Sequence, residues 1–261
     1  VDPDGRMDIA DLQAVIAQDR AAGLEPFLLI GTAGGVDTGA IDDLSALAQV
    51  AKDQRLWLHV DGAFGALAKL SPELSPLLDG IERADSIAFD FHKWGQAPYD
   101  AGFILVRDGA KQQAAFTSTA AYLRREATGL AAGAPWPCDF GPDLSRGFRA
   151  LKVWFAFKTY GADAIGAAIL NTCRLGAYLA ASVDAQPELE RLAPSPLNIV
   201  CFRYRAPCDS DCLNSAIVEQ LQTSGVAAPS TTVIDGALAI RAAIVNHRTR
   251  AEDIDLLVAE V

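Results

Sequence analysis

Along the first hundred residues, amphipathic stretches alternate with short apolar runs, and each apolar run stops at a small or acidic residue. Asp8 to Ala22 has the spacing of a helix. Phe27-Leu28-Leu29-Ile30 reads as a buried strand ending at Gly31. Asp42 to Asp53 reads as a second helix opened by acidic residues. Trp57-Leu58-His59-Val60 is a strand that stops at Asp61. Ser86-Ile87-Ala88-Phe89 stops near Asp90, and Phe103-Ile104-Leu105-Val106 is a fourth. Uninterrupted apolar strands separated by helices predict an α/β fold with a mostly parallel sheet covered on both faces. Ligands of such sheets bind beyond the carboxyl ends of the strands. Thr32, Asp61 and the Asp90 to Lys93 group lie at those ends.

Between Thr117 and Leu144 the pattern breaks into Gly, Pro, Ala and aromatic residues, which suggests a functional loop or flap. Phe148 to Tyr160 reads as a helix broken at Gly161, with a further helical stretch through Ala181. Leu197 to Arg205, Leu213 to Thr223 and Ala237 to Val245 read as strand, helix and strand, and Ala251 to Val261 as a closing helix. Two units are expected, a large one over residues 1–161 and a smaller α+β one over 162–261.

Composition narrows the function. The chain has 261 residues, 51% of them hydrophobic, enough for a sizeable core. A formal charge of −11 argues against nucleic acid or an anionic membrane as the partner. Five cysteines without a CxxC pair read as reduced thiols of a cytoplasmic protein. No apolar run of membrane-spanning length and no signal peptide is expected. The opening Val1-Asp2-Pro3-Asp4-Gly5-Arg6 has no initiator Met and reads as mid-loop, so the chain is expected to be a fragment lacking an N-terminal part.

Chemistry concentrates at two strand ends. In Phe89-Asp90-Phe91-His92-Lys93-Trp94-Gly95 a Lys stands among bulky aromatic residues after a buried strand. Desolvation there would lower its pKa and make the amine nucleophilic, whereas an ordinary surface Lys snorkels. Asp61 follows another strand and needs a cation or several donors, and a pyridinium nitrogen would serve. A helix N-cap is its ordinary reading. Gly62 and Ala63 would let a flat ring approach the backbone. The Gly31-Thr32-Ala33-Gly34-Gly35 stretch lacks the spacing of a nucleotide P-loop, and nothing suits zinc or a serine triad. His247, in Val245-Asn246-His247-Arg248-Thr249, could face substrate but reads more simply as a polar strand end.

His59-Val60-Asp61-Gly62-Ala63, followed about thirty residues later by Asp90-Phe91-His92-Lys93-Trp94, resembles the group II pyridoxal phosphate (PLP)-dependent amino-acid decarboxylases. That family includes the aromatic-L-amino-acid, histidine and glutamate decarboxylases. The resemblance takes in Asp2-Pro3-Asp4-Gly5-Arg6-Met7, Gly31-Thr32-Ala33-Gly34 with Thr38-Gly39, Ala84-Asp85-Ser86, Phe148-Arg149-Ala150-Leu151-Lys152 and the strand around Arg241. It implies the fold type I architecture of PLP enzymes and a homodimer acting on an amino acid as its small-molecule substrate, with aromatic, histidine-like and acidic side chains all open. Lys93 would hold PLP as a Schiff base and Asp61 would bind the ring nitrogen. Ala63 would pack under the ring, and Thr32 would lie near ring and substrate carboxylate. Asp90 and His92 match positions near the cofactor phosphate; Asp90 departs from the Asn of some relatives, and an anion facing an anion is costly. Tyr122 matches a loop tyrosine that protonates the intermediate, and Arg146 an arginine near the site, although by itself it reads as a surface charge. The implied reaction is α-decarboxylation of an L-amino acid to its amine and CO2. The alternatives are aldehyde synthesis or transamination on the same fold, or a non-catalytic remnant kept for assembly.

Overall fold

A computed structural model describes the chain except residues 118–124, 131, 134 and 209. Helix α1 (Ile9–Ala21) begins where the Asp8 carboxylate accepts the Ala10 and Asp11 amides. It leads into β1 (Leu28–Thr32), α2 (Leu44–Gln54) and β2 (Trp57–Asp61). Asp43 caps α2 through the Ala46 amide, and Arg55 ends it in the left-handed conformation at φ 57°. Three short 3₁₀ turns then lead to β3 (Ser86–Asp90) and β4 (Gly102–Val106). These four strands form one sheet in the order β1-β2-β3-β4, with β1, β2 and β3 parallel and β4 antiparallel.

One face of this sheet is packed. Leu29, Leu58 and Val60 are buried on it, and α2 presses closely enough that a methyl on Gly31 would lie 2.7 Å from a Leu47 methyl. The other face carries Leu28 and Ile30 of β1 and Ile104 of β4, all about half exposed. The expectation of cover on both faces is therefore corrected for the described residues. Apolar runs hide this difference because they lack the polar alternation that betrays an open face.

After β4 come α3 (Gly109–Phe116) and α4 (Arg149–Tyr160). Between them the described part of the irregular segment folds back on α3. Gln112 donates to the Phe140 carbonyl, and Arg125 both stacks on Trp136 (3.4 Å to the ring centroid) and pairs with the buried Asp139. Gly161, at φ 81°, separates α4 from α5 (Ala162–Asp184). At 23 residues α5 is long and apolar enough, by length and composition, to cross a membrane, which corrects the expectation that no such run exists. Its apolar side chains are committed to two protein cores. Ile165, Ile169 and Cys173 join the core under the first sheet, and Leu179, Ala180 and Val183 join that of the second.

The second sheet has the order β5-β6-β8-β7 and is wholly antiparallel. Its strands are β5 (Leu189–Arg191), β6 (Ile199–Tyr204), β7 (Ser230–Ile234) and β8 (Ala237–Ala243), with α6 (Ser210–Ser224) and α7 (Ala251–Glu260) packed against it. β5 and β7 were not foreseen. β7 was legible, because Thr231-Thr232-Val233-Ile234 runs into Asp235-Gly236, both at positive φ as a two-residue hairpin turn requires.

Candidate active site

Register partners on parallel strands project to the same face, and side chains two apart on one strand share it. Thr32 pairs with Asp61, and Asp61 with Ala88. Two residues beyond Ala88 comes Asp90. Hydrogen bonds identify the shared face: Ser86 Oγ lies 2.8 Å from both Trp57 Nε1 and His59 Nδ1. Thr32, Asp61, Ala88 and Asp90 therefore all rise from the face opposite α2. One strand spacing and two residues of rise separate the Asp61 and Asp90 α-carbons by about 8 Å.

The strand ends are fixed by backbone bonds. Ala33 N donates to Asp61 O, and Gly62 N to Ala88 O, each at 2.8 Å. The two turns then touch, with Gly65 so close to the first loop that a methyl there would stand 2.5 Å from Ala33 O. Gly34, at φ 86°, completes the approach. Buried Asp42 adds a further anchor that sequence reasoning missed. Its Oδ2 accepts the Thr32 amide and its Oδ1 the Met7 amide, both at 2.7 Å. In sequence it looked like one more acid at the start of α2; only Asp43 caps that helix.

Asp61 is exposed, and its Oδ1 accepts the Ala63 amide at 3.0 Å, closing a tight local turn rather than capping a helix. A carboxylate has about four acceptor sites, so this one bond leaves most of its capacity. Ala63 is half-buried beside it. Gly62 is not open to a ring as expected: a methyl there would lie 2.5 Å from the Ala66 Cβ, so its smallness serves the fold.

Lys93 sits in the turn after β3, with its ammonium 2.8 Å from Asp90 Oδ2 and its side chain 43% exposed. The desolvated aromatic setting expected from its neighbours is absent, because those neighbours point elsewhere. Trp94 is buried, stacks on Phe64 and donates to Thr172 Oγ1 at 3.0 Å. Phe91 packs edge-on against Phe103 and Phe157. An exposed ion pair of this kind is worth roughly 0–1 kcal/mol, so the amine is readily released. Asp90, placed by the sequence near a phosphate, thus has its own cation. His92 accepts the Ala101 amide on Nδ1 at 2.9 Å, which leaves its ring proton on Nε2, 3.9 Å from Asp90 Oδ2.

Of the other candidates, Thr32 is half-buried in the strand-end row. Arg146 is exposed and lines a separate cleft with Phe91, Gly102, Phe103 and Phe148. Tyr122 lies outside the described residues. His247 is exposed and hydrogen-bonds Gln96. A further group unseen from sequence comes from the second sheet. Arg241 Nε donates to the Val36 and Asp37 carbonyls, Thr232 Oγ1 to Asp37 Oδ1 at 2.6 Å, and Cys201 Sγ to Asp37 O. The loop after Thr32 is thus gripped by the second sheet.

An exposed primary amine and a carboxylate with spare acceptor sites, on one face of one sheet, can capture an aldehyde and hold a cationic ring nitrogen. Comparison with known proteins identifies the family. The model of the pyridoxal-dependent decarboxylase conserved domain matches residues 1–205. An aromatic-L-amino-acid decarboxylase of Bacillus atrophaeus is 36% identical over 254 residues, covering 95% of this chain and 53% of that protein. A histidine decarboxylase of Mus musculus is 32% identical, covering 93% and 36%. The crystal structure of Oryza sativa TDC with PLP and tryptamine superposes with a TM-score of 0.90 at 28% identity, covering 99% of this chain and 55% of that one. The chain spans about half the length, or less, of these relatives.

Proposed function

Since the chain belongs to the pyridoxal-dependent decarboxylase family, we propose that it serves the PLP-dependent loss of the α-carboxylate of an L-amino acid, releasing the amine and CO2. The observation that carries this reading is the shared sheet face of Asp61 and the Asp90–Lys93 pair. The donor set suits the cofactor. Lys93 offers an amine to its aldehyde, and Asp61 keeps acceptor sites for its ring nitrogen. When bound, PLP supplies an electron sink for the pair left by departing CO2.

The chain's own residues do the rest. Lys93 Nζ, paired with Asp90 at 2.8 Å, would hold the cofactor and could take or give a proton at that atom, and Asp90 would balance the charge of its ammonium form. The Asp61 carboxylate would pair with the ring nitrogen and favour its protonated form. Thr32, pinned through its amide to Asp42, would offer a hydroxyl on the same sheet face. His92 presents Nε2–H on the same turn. Tyr122 is the proposed proton donor to Cα, and Arg146 a supporting residue of the loop region. Aromatic L-amino acids are the first substrate class to test, supported by the 36% identical relative. A homodimer is part of this reading, supported by the exposed Phe148, Trp154 and Phe155 of α4. So is a cytoplasmic setting, supported by five cysteines without a disulfide.

The test is absorbance of the purified chain with PLP, before and after borohydride, beside Lys93→Ala. A band near the visible edge, fixed by reduction onto Lys93 and missing in the variant, is expected. An adduct that forms equally well without Lys93 would overturn the assignment. Amine and CO2 released from an amino-acid panel then separate decarboxylation from aldehyde synthesis, whose product is a carbonyl.

A further inference from the structure

Three residues beyond Lys93, Gln96 holds a left-handed backbone at φ 57°, a conformation that costs a side-chain-bearing residue strain and a glycine none. Its side chain is not spent on the turn. The turn is closed by the Lys93 amide to Asp90 O, Ala97 to Phe91 O, Phe91 to Ala101 O, and Ala101 to His92 Nδ1. Gln96 reaches instead to the segment that follows β8 in the second sheet. Its Nε2 donates to the Val245 carbonyl at 2.8 Å, and its Oε1 accepts from His247 Nδ1 at 3.1 Å. His247 is thus the Nδ1–H tautomer or the cation, and either form keeps the bond. The two partners are 151 residues apart in sequence, and together they tie the lysine turn to the segment leaving the second sheet.

We propose that Gln96 and His247 form a latch through which the segment after β8 of the second sheet positions the turn that carries Lys93. Both are positioning residues and neither is catalytic. The inference rests on the proposed role of Lys93 as the reactive amine. The geometry supports it in two ways. The Lys93 amine itself is held by an ion pair to Asp90, so the orientation of its turn, which the backbone bonds and buried Trp94 also support, sets where the amine stands. The second sheet also grips the loop after Thr32 through Arg241 and Thr232. The same sheet and the segment leaving it therefore hold both strand-end loops, and loss of the latch frees only the lysine side.

Hydrogen exchange by mass spectrometry on the full chain tests this with Gln96→Gly, His247→Ala, the double variant and His247→Gln. Glycine relieves the strained backbone and removes only the side chain, so local and latching roles give opposite results. His247→Ala, which removes one of the two Gln96 contacts, is expected to speed exchange across residues 91–101 about fivefold, the factor implied by losing roughly one net hydrogen bond, and Gln96→Gly, which removes both, more than that. The double variant matches Gln96→Gly, His247→Gln restores part of the protection, and peptides from β2 and β6 stay unchanged. Unaltered or slower exchange in Gln96→Gly, or no effect of His247→Ala on residues 91–101, would overturn the latch. Borohydride trapping of PLP on the same proteins should be slower in both single variants and reach the wild-type end level. A wild-type chain that forms no adduct at Lys93 would sink the assignment of the amine, and the exchange pattern would still decide the latch.

Discussion

The Trp94 indole lies flat on the Phe64 ring, with centroids 5.1 Å apart and planes 8° from parallel. Trp94 follows Lys93, and Phe64 lies three residues after Asp61, so one stacked pair joins the turns that carry the two candidate residues. Trp94 is almost wholly buried, and its Nε1–H ends on Thr172 of α5. This places the geometry of the site partly in the core. Trp94→Ala should cost about 3–5 kcal/mol, and Thr172→Val about 1–2 kcal/mol through the unpaired indole donor. Urea unfolding measures both. Capture of PLP at Lys93 should fall in Trp94→Ala more than in Thr172→Val, because only the first loses the stack.

Asp42 should matter as much as any apolar core residue near β1. Removing its carboxylate strands the Thr32 and Met7 amides, each at a penalty of roughly 1–3 kcal/mol. Asp42→Ala is expected to lose about 2–5 kcal/mol in denaturant unfolding, and Asp43→Ala, which removes a single helix cap, only about 1 kcal/mol. Equal losses for the two would mean that Asp42 acts as an ordinary cap.

Asp90→Asn should change folding stability by about 1 kcal/mol or less, since its partner Lys93 is exposed and the pair is screened on that side. Its effect belongs to the amine. The variant is expected to trap PLP at Lys93 with altered kinetics, read from the borohydride time course, while its unfolding midpoint stays near wild type. A large stability loss would show that the carboxylate holds the turn itself.

Burial pushes the Cys173 thiol up to about 12 and, even with Arg241 nearby, the Cys201 thiol up to about 11. At pH 8 roughly one Cys201 in a thousand is then thiolate, the reactive form. Iodoacetamide should label exposed Cys208 and Cys212 in the native chain and leave Cys173 and Cys201 until unfolding. Both shifts are upward, so the folded thiols stay protonated where unfolded ones ionise. Their contribution is whole below the ordinary thiol value of 9.0 and is lost as pH climbs toward 11–12. Native labelling of Cys173 at pH 8 would contradict this burial.

The sequence by itself determined the alternation of β1, β2 and β3 with helices, the parallel order this implies, and the meeting of Thr32, Asp61 and Lys93 at strand ends. Those follow from local chemistry: apolar runs of strand length, and polar residues where the ladder stops. It also carried the family, because the Asp61 and His92-Lys93 motifs sit at a fixed separation. Only the tertiary structure decided which way the side chains turn. Trp94 goes inward to Phe64 and leaves Lys93 in water, although both stand in one aromatic run. Asp42 becomes an anchor and Asp43 a cap, although they are neighbours of the same type. The open face of the first sheet, the grip of Arg241 on the loop after Thr32, and the Gln96–His247 contact arise between residues far apart in the chain. No local pattern encodes them, because packing between distant elements sets each one.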